Sequence, residues 1–223
     1  MKNYIFILMF LFISKSIFSQ SRSMLSDNDS IYINDNRDPF VDYFEKVTVN
    51  GGAGLFIAQG SLNRYFGLAP VIELDINFPI KERTSLDLGL QFIIPNQKES
   101  FTYIRTIDTL QVKSQYMFNF FARYKKRINQ NLKSNLNLNI GLGVSTIATD
   151  ARNPFVEGEK DQKKYEMVSA LLLLPGLEYK YKFSKHSEFI FGIDLQYSPY
   201  KIEGALREDI GTVAFIPKVL YKF

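Results

Sequence analysis

The sequence NLNLNIGLGV, residues 135–144, decides the class of fold. Apolar side chains occupy every second position, and asparagine or glycine occupies the positions between them. A period of two sustained over this length is typical of a β-strand with one apolar and one polar face. The apolar positions are Leu136, Leu138, Ile140, Leu142 and Val144.

The same alternation recurs along the chain and predicts eight strands in total. The strands are predicted at 46–58, 72–78, 84–94, 115–125, 135–144, 166–183, 188–197 and 212–223. Pro175 and Pro217 fall inside two of these segments. Because proline removes a ladder donor and is tolerated mainly at edges and bulges, we expect a local bulge at each.

The connections between these segments alternate in length. The short, polar ones are 79–83, 126–133 and 184–187, and the mostly longer ones are 59–65, 95–110, 148–165 and 198–211. Outer-membrane barrels combine an even strand number with short periplasmic turns and longer outer loops. Residues 46–223 are therefore predicted to form an all-β, eight-stranded, antiparallel, up-and-down transmembrane β-barrel.

The opposite face of the predicted strands carries charge and glycine. An eight-stranded interior is only wide enough to be filled by side chains, so a balanced charged set would pair there. We predict a charge network in the lumen formed by Glu73, Asp75, Asp87, Arg123, Lys125, Glu178, Lys180, Lys182, Glu188, Asp194, Lys218 and Lys222. The alternative, a soluble lipocalin-like barrel with the aromatic face inside, needs more volume than so small a lumen offers.

The first 45 residues differ from the rest. Residues 1–20 begin with Lys2 and continue with the apolar core Tyr4 to Ile13, which is typical of a secretory signal peptide. Residues 21–45 are polar, show no sustained period, and are predicted to form an N-terminal arm.

Composition excludes several kinds of site. The chain has no Cys, a single His and a formal net charge of +4. Disulfides and Cys-ligated metals are excluded, and we expect no cofactor, no metal and no nucleic-acid partner. His186, in the sequence SKHS, is predicted to lie in a periplasmic turn. That is the wrong side for chemistry on outer-leaflet lipid, so we expect no catalytic residues.

The signal peptide, the eight alternating segments and the final VLYKF together resemble the small outer-membrane β-barrel superfamily, typified by the OmpA transmembrane domain and OmpX. The composition is similar to that of outer-membrane barrels of Bacteroidota. The resemblance implies an outer-membrane location in a Gram-negative-type envelope, with outer-membrane lipid and the barrel-assembly machinery as partners. It also implies an assembly signal in the last strand, carried by Phe215, Val219, Tyr221 and Phe223.

The sequence therefore favours a non-catalytic barrel that has a structural role or binds an extracellular ligand through its outer loops. A small porin-like pore is an alternative. A lipid-modifying outer-membrane enzyme and a soluble lipid-binding barrel are further alternatives.

Overall fold

The computed structural model describes residues 39–104, 109–131, 133–152, 165–184, 187–200 and 210–223. The predicted signal peptide, 1–20, and most of the predicted arm, 21–45, lie outside the described residues, as does His186.

Within these residues the chain forms two short helices and ten strands. The helices are α1 (Pro39–Phe44) and α2 (Leu62–Tyr65). The strands are β1 (Thr48–Ala58), β2 (Ala69–Lys81), β3 (Thr84–Ile93), β4 (Phe101–Ile104), β5 (Thr109–Val112), β6 (Ser114–Gln130), β7 (Ser134–Arg152), β8 (Tyr165–Lys182), β9 (Glu188–Tyr197) and β10 (Val213–Lys222). No helix among the described residues is long and apolar enough to span a membrane.

Eight of the strands close into a barrel in the order β1-β10-β9-β8-β7-β6-β3-β2. All neighbouring strands are antiparallel, and β1 pairs with β10 to close the sheet. The two remaining strands, β4 and β5, form a separate hairpin between β3 and β6. The predicted fold class is confirmed.

The alternation seen in the sequence separates the wall from the lumen. On β7, Ile140 is 50% exposed on the outer wall, whereas its neighbour Asn139 is 2% exposed and faces the interior. The same inside-outside alternation recurs on β2, β3, β6, β9 and β10, so the apolar face covers the outside.

The outer end of the barrel contains more regular structure than the sequence predicted. The hairpin β4–β5 occupies part of the predicted loop 95–110, and α2 lies within the predicted loop 59–65. β7 was predicted to end at residue 144 but extends to Arg152. Beyond residue 144 both faces of β7 become buried, Thr146 and Ala148 as well as Ile147, so alternating polarity no longer marks the strand.

The predicted bulges at Pro175 and Pro217 are wrong, because the register does not shift at either residue. Pro175 pairs with Ile140 on β7, and Pro217 pairs with Ile193 on β9. Toward the strand on its other side, each proline lies in a gap of two unpaired positions, after which the pairing continues in the same register. The backbone N–H that each proline lacks therefore falls where the hydrogen-bond ladder is already interrupted. The strand needs no extra residue, and so no bulge, to accommodate it.

Ile140→Arg places a charge in the middle of the exposed apolar wall. If the wall contacts lipid, this change should cost roughly 2–4 kcal/mol of folded stability. Asn131→Arg, in the exposed turn between β6 and β7, is the matched control and should be silent. Urea titration of both variants in phospholipid vesicles checks this, and equal stability would show that the wall does not face lipid.

Candidate functional site

Arg123, on β6, lies fully buried near the middle of the lumen. Its Nη1 atom lies 3.0 Å from Glu73 Oε1 and 3.4 Å from Glu178 Oε1. Its Nη2 atom donates to Asp194 Oδ2 at 2.8 Å. These carboxylates belong to β2, β8 and β9, none of which is adjacent to β6. One guanidinium, with several donors in a fixed fork, therefore links strands across the lumen.

Two lysines extend this cluster. Lys218 Nζ, on β10, donates to Glu73 Oε1 at 2.6 Å and to Asp194 Oδ2 at 2.7 Å. Lys125 Nζ, on β6, lies 2.8 Å from Glu178 Oε2 and forms an ion pair with Asp87. The three cations thus share their carboxylate partners instead of forming separate pairs.

The buried cluster contains more carboxylates than cations, and neutral amides supply further donors. Asn50 donates to Asp75 at 2.6 Å, and Gln91 donates to Glu73 at 2.7 Å. Asn77 likewise donates to Asp87. Because a buried carboxylate oxygen is costly without a donor, these amides stabilise the charged forms that the cations alone would not satisfy.

The predicted network is not one unit. The structure brings eight of its members into a single ion-paired cluster, which we call the central cluster: Glu73, Asp75, Asp87, Arg123, Lys125, Glu178, Asp194 and Lys218. Three others lie at the inner mouth, where Glu188 is 3.4 Å from Lys182 and 3.7 Å from Lys222. Lys180 lies between the two groups, in electrostatic range of Glu178 and Glu188.

The two groups differ in exposure, and therefore in how much they contribute to the stability of the folded barrel. The side chains of Lys182 and Lys222 are 49% and 27% exposed, whereas the ion-paired side chains of the central cluster are at most 1% exposed. Exposed pairs contribute about 0–1 kcal/mol, whereas loss of one partner of a buried pair costs about 3–5 kcal/mol. The central cluster therefore dominates the electrostatics of the lumen.

The outer half of the lumen is apolar, which the sequence analysis missed. The cluster comprises Phe56, Ala58, Leu62, Tyr65, Phe66, Ala69, Val71, Ile93, Phe101, Val112, Met117, Ile147, Ala151, Val168, Ala170, Tyr200, Ile210, Ala214 and Ile216. Its members come from the outer ends of the barrel strands, from α2, from the β4–β5 hairpin and from the connection after β9. The sequence signal for inward apolar residues was the adjacent pair Phe120-Phe121, whose inward ring, Phe121, belongs to a second, smaller apolar cluster with Leu172 and Leu174.

A layer of uncharged polar side chains separates the two halves. Asn119 donates to Gln91 at 2.8 Å and to Gln196 at 2.9 Å. Ser145 hydrogen-bonds both Asn119 and Tyr200, three residues beyond β9. Burial raises the pKa of Tyr200 to about 12, so its hydroxyl remains protonated at neutral pH. The layer satisfies polar groups where the charged and apolar halves meet.

The segments that cover the outer mouth are tied together; we call residues 62–68, 96–104 and 109–112 the outer cap. Lys98 Nζ donates to the carbonyl and side-chain oxygens of Asn63 at 2.9 and 2.8 Å. The Lys98 backbone N–H donates to the carbonyl of Tyr65 at 2.7 Å, and Arg64 pairs with Glu99 at 2.8 Å. The rings of Tyr65 and Phe66 pack near Phe101. The cap is therefore held by polar contacts outside and aromatic contacts inside.

The four residues of the predicted assembly signal share the outer wall of β10. Phe215, Val219 and Phe223 are exposed, and Tyr221 is half-buried. The Tyr221 ring lies 5.2 Å from Phe223 and 5.8 Å from Phe189. The strand thus presents an apolar row on its outer face, with an aromatic cluster at its inner end.

Metal-site residues are not assembled in the described part of the chain. No group of three or more His, Cys, Asp and Glu side chains there is arranged to hold a metal ion. The acidic residues Glu157, Glu159 and Asp161, which the sequence places in an outer loop, lie outside the described residues.

No protein-family model matches the sequence, and no curated protein sequence matches it either. Among solved structures, Neisserial surface protein A is similar with a TM-score of 0.53 at 12% identity, covering 79% of this chain and 95% of that chain. The N-terminal β-barrel domain of Pseudomonas aeruginosa OprF has a TM-score of 0.43 at 12% identity, covering 79% and 96%. The Ail protein of Yersinia pestis has a TM-score of 0.40 at 11% identity, covering 79% and 97%.

At such low identity the similarity to Neisserial surface protein A shows the fold alone. The expected kinship with Bacteroidota proteins stays a prediction. The resemblance predicted from the sequence is confirmed at the level of fold, and the chain has the eight-stranded fold of the small outer-membrane β-barrels.

The substitution Arg123→Met tests how much the central cluster contributes to the stability of the folded barrel. The change removes the cation that Glu73, Glu178 and Asp194 share, and should destabilise the folded barrel by about 3–5 kcal/mol. Arg64→Met is the matched control, because Arg64 pairs with Glu99 at a site where its side chain is 65% exposed. The control should cost at most about 1 kcal/mol. The measurement is the urea midpoint of each variant folded in detergent, and equal midpoints would contradict the assignment.

Proposed function

We propose that this chain is a non-catalytic β-barrel of the outer membrane in a Gram-negative-type envelope, exported by its signal peptide. The observation that carries the proposal is the inverted distribution of polarity. Glu73, Asp194 and Arg123 are buried in the lumen, whereas Leu, Ile, Phe and Tyr side chains are exposed around the wall. Soluble proteins rarely expose a contiguous apolar surface of this extent, and such surfaces mark membrane contact.

A soluble lipid-binding barrel is disfavoured by the same distribution. Such a barrel needs an apolar cavity inside and a polar wall outside. Here the inner half of the lumen holds the central cluster, and the outer half is filled by the side chains of the apolar cluster. The interior therefore offers no continuous apolar space to a lipid chain.

A porin-like pore is disfavoured by the packing of the lumen. The central cluster joins β2, β6, β8, β9 and β10 through contacts across the interior. Above it, Phe66, Phe101 and Tyr200 are fully buried in the apolar cluster. An eight-stranded barrel is wide enough only for its own side chains, so ions would meet two successive obstructions.

The residues that lipid chemistry would need favour a non-catalytic barrel. In the sequence the sole histidine, His186, falls between the last residue of β8 and the first residue of β9, and those two strand ends lie opposite the outer cap. Lipid-modifying barrels need a histidine with a nucleophile and an acid near the outer leaflet. The charged groups of the central cluster are engaged with one another and buried, which suits a structural role.

The role left to such a barrel is support of the envelope or binding through its outer end. The outer cap is tied by the contacts of Lys98 and Arg64, so its exposed polar side chains are held in place before a ligand arrives. Preorganisation lowers the entropic cost of binding. We propose an extracellular ligand at this surface, outer-membrane lipid around the wall, and the barrel-assembly machinery acting on β10.

Cysteine labelling on intact cells tests the location and orientation. Ser100→Cys, exposed in the outer cap, should react with a membrane-impermeant maleimide. Asn131→Cys, exposed in the turn between β6 and β7, should react only after the cells are opened. The opposite pattern would reverse the orientation, and labelling of neither residue in the membrane fraction would contradict surface exposure.

Planar-bilayer recording tests whether the lumen conducts. Because the central cluster and the apolar cluster both obstruct it, we expect no stepwise conductance from wild-type protein. Insertion should be verified in the same preparation by the protease resistance of the barrel. Regular, sustained conductance steps from inserted protein would favour the porin-like alternative.

A further inference from the structure

Two lysines face outward side by side at the inner end of the barrel wall. Lys81 on β2 pairs with Thr84 on β3, and Thr84 pairs with Lys126 on β6. Residues directly opposite in adjacent strands project from the same face, and Thr84 follows the outward parity of Leu86 and Leu88. Both lysine side chains therefore project from the outer wall. The Cα atoms of Lys81 and Lys126 lie roughly 10 Å apart, on either side of Thr84.

A third cation lies beside this pair. Arg83 is exposed in the turn between β2 and β3, and its carbonyl accepts a hydrogen bond from the backbone N–H of Arg127 at 2.8 Å. That contact holds the turn against β6, next to Lys126. Glu82 is the one carboxylate in the turn, so the patch of Lys81, Arg83 and Lys126 keeps a net positive charge.

The basic patch borders apolar side chains. The next outward row toward the membrane interior is formed by Phe78, Leu86 and Tyr124, in which Leu86 pairs with each of the other two. Ile80 and Ile128, near the patch, are 54% and 57% exposed. Lysine side chains at such a boundary extend their ammonium groups to the headgroup level while their methylenes contact the apolar wall.

The opposite wall at the same end has a different character. There Phe183, Phe189 and Tyr221, from the β8–β10 side, form an aromatic cluster with ring centroids 5.0–6.3 Å apart. The lysines nearest to it, Lys182 and Lys222, contact Glu188 at the inner mouth. The described wall therefore presents two outward lysines on the β2–β3–β6 side and a cluster of aromatic rings on the β8–β10 side.

We propose that Lys81, Arg83 and Lys126 form a binding site for the phosphate of an anionic phospholipid in the periplasmic leaflet, with the acyl chains along Phe78, Leu86 and Tyr124. The inference rests on the proposed membrane location and orientation. The phosphate lies between the ammonium groups of the two lysines and within reach of the Arg83 guanidinium. Its charge offsets the repulsion among the three cations, and an anionic headgroup is preferred over a zwitterionic one.

Native mass spectrometry of the full chain tests this site. The folded protein is released from mixed micelles that contain equal amounts of phosphatidylglycerol and phosphatidylcholine, and retention of each lipid is compared. Wild-type protein should retain phosphatidylglycerol preferentially. Each lysine contributes on the order of a fivefold preference, so Lys81→Gln with Lys126→Gln should reduce the preference about 5- to 30-fold.

Two further double variants distinguish a specific lipid-binding site from a general effect of the protein's net charge. Lys113→Gln with Lys133→Gln removes the same charge from exposed positions outside the patch and should leave the preference unchanged. Lys81→Arg with Lys126→Arg should retain it. Equal loss in the control, or no preference in folded wild-type protein, would overturn the site while leaving the membrane proposal standing. Failure of the wild type to fold in any lipid or detergent would instead contradict the proposed function.

Discussion

The pairing of Arg123 with carboxylates on β2, β8 and β9 is the interaction on which the interior of the barrel depends. A charge facing into so narrow a lumen has little water, so it must find partners on other strands. Because those strands are not neighbours of β6, the partners meet only when the sheet curls around a common interior. The same contacts that satisfy the charges therefore favour the closed barrel over an open sheet.

The lumen is divided into an inner charged half and an outer apolar half. In the inner half, Lys125 and Lys218 share carboxylates, and amides of Asn50 and Gln91 supply further donors. The outer half is packed with apolar side chains and covered by the outer cap. Charge gives the inner half specific partners, and apolar packing fills the outer half.

Much of this arrangement could be predicted from single strands. The alternation in residues 135–144 predicted both faces of β7, and the lumen positions of Glu73 and Arg123 follow from the same parity. The extension of β7 to Arg152 could not be predicted, because Thr146 and Ile147 are both buried and the period disappears. The hairpin β4–β5 was missed because each of its strands is only four residues long.

The sequence by itself determined the class of fold, the number of barrel strands and the inward face of the buried charges, because a period of two is a local property of an extended chain. Only the tertiary structure decided which charges meet. It joined Lys218 to Glu73 and left Lys182 at the inner mouth with Glu188. It also decided that residues 62–68, 96–104 and 109–112 fold into the outer cap. Register and closure set these contacts, and both depend on pairings between residues far apart in the chain.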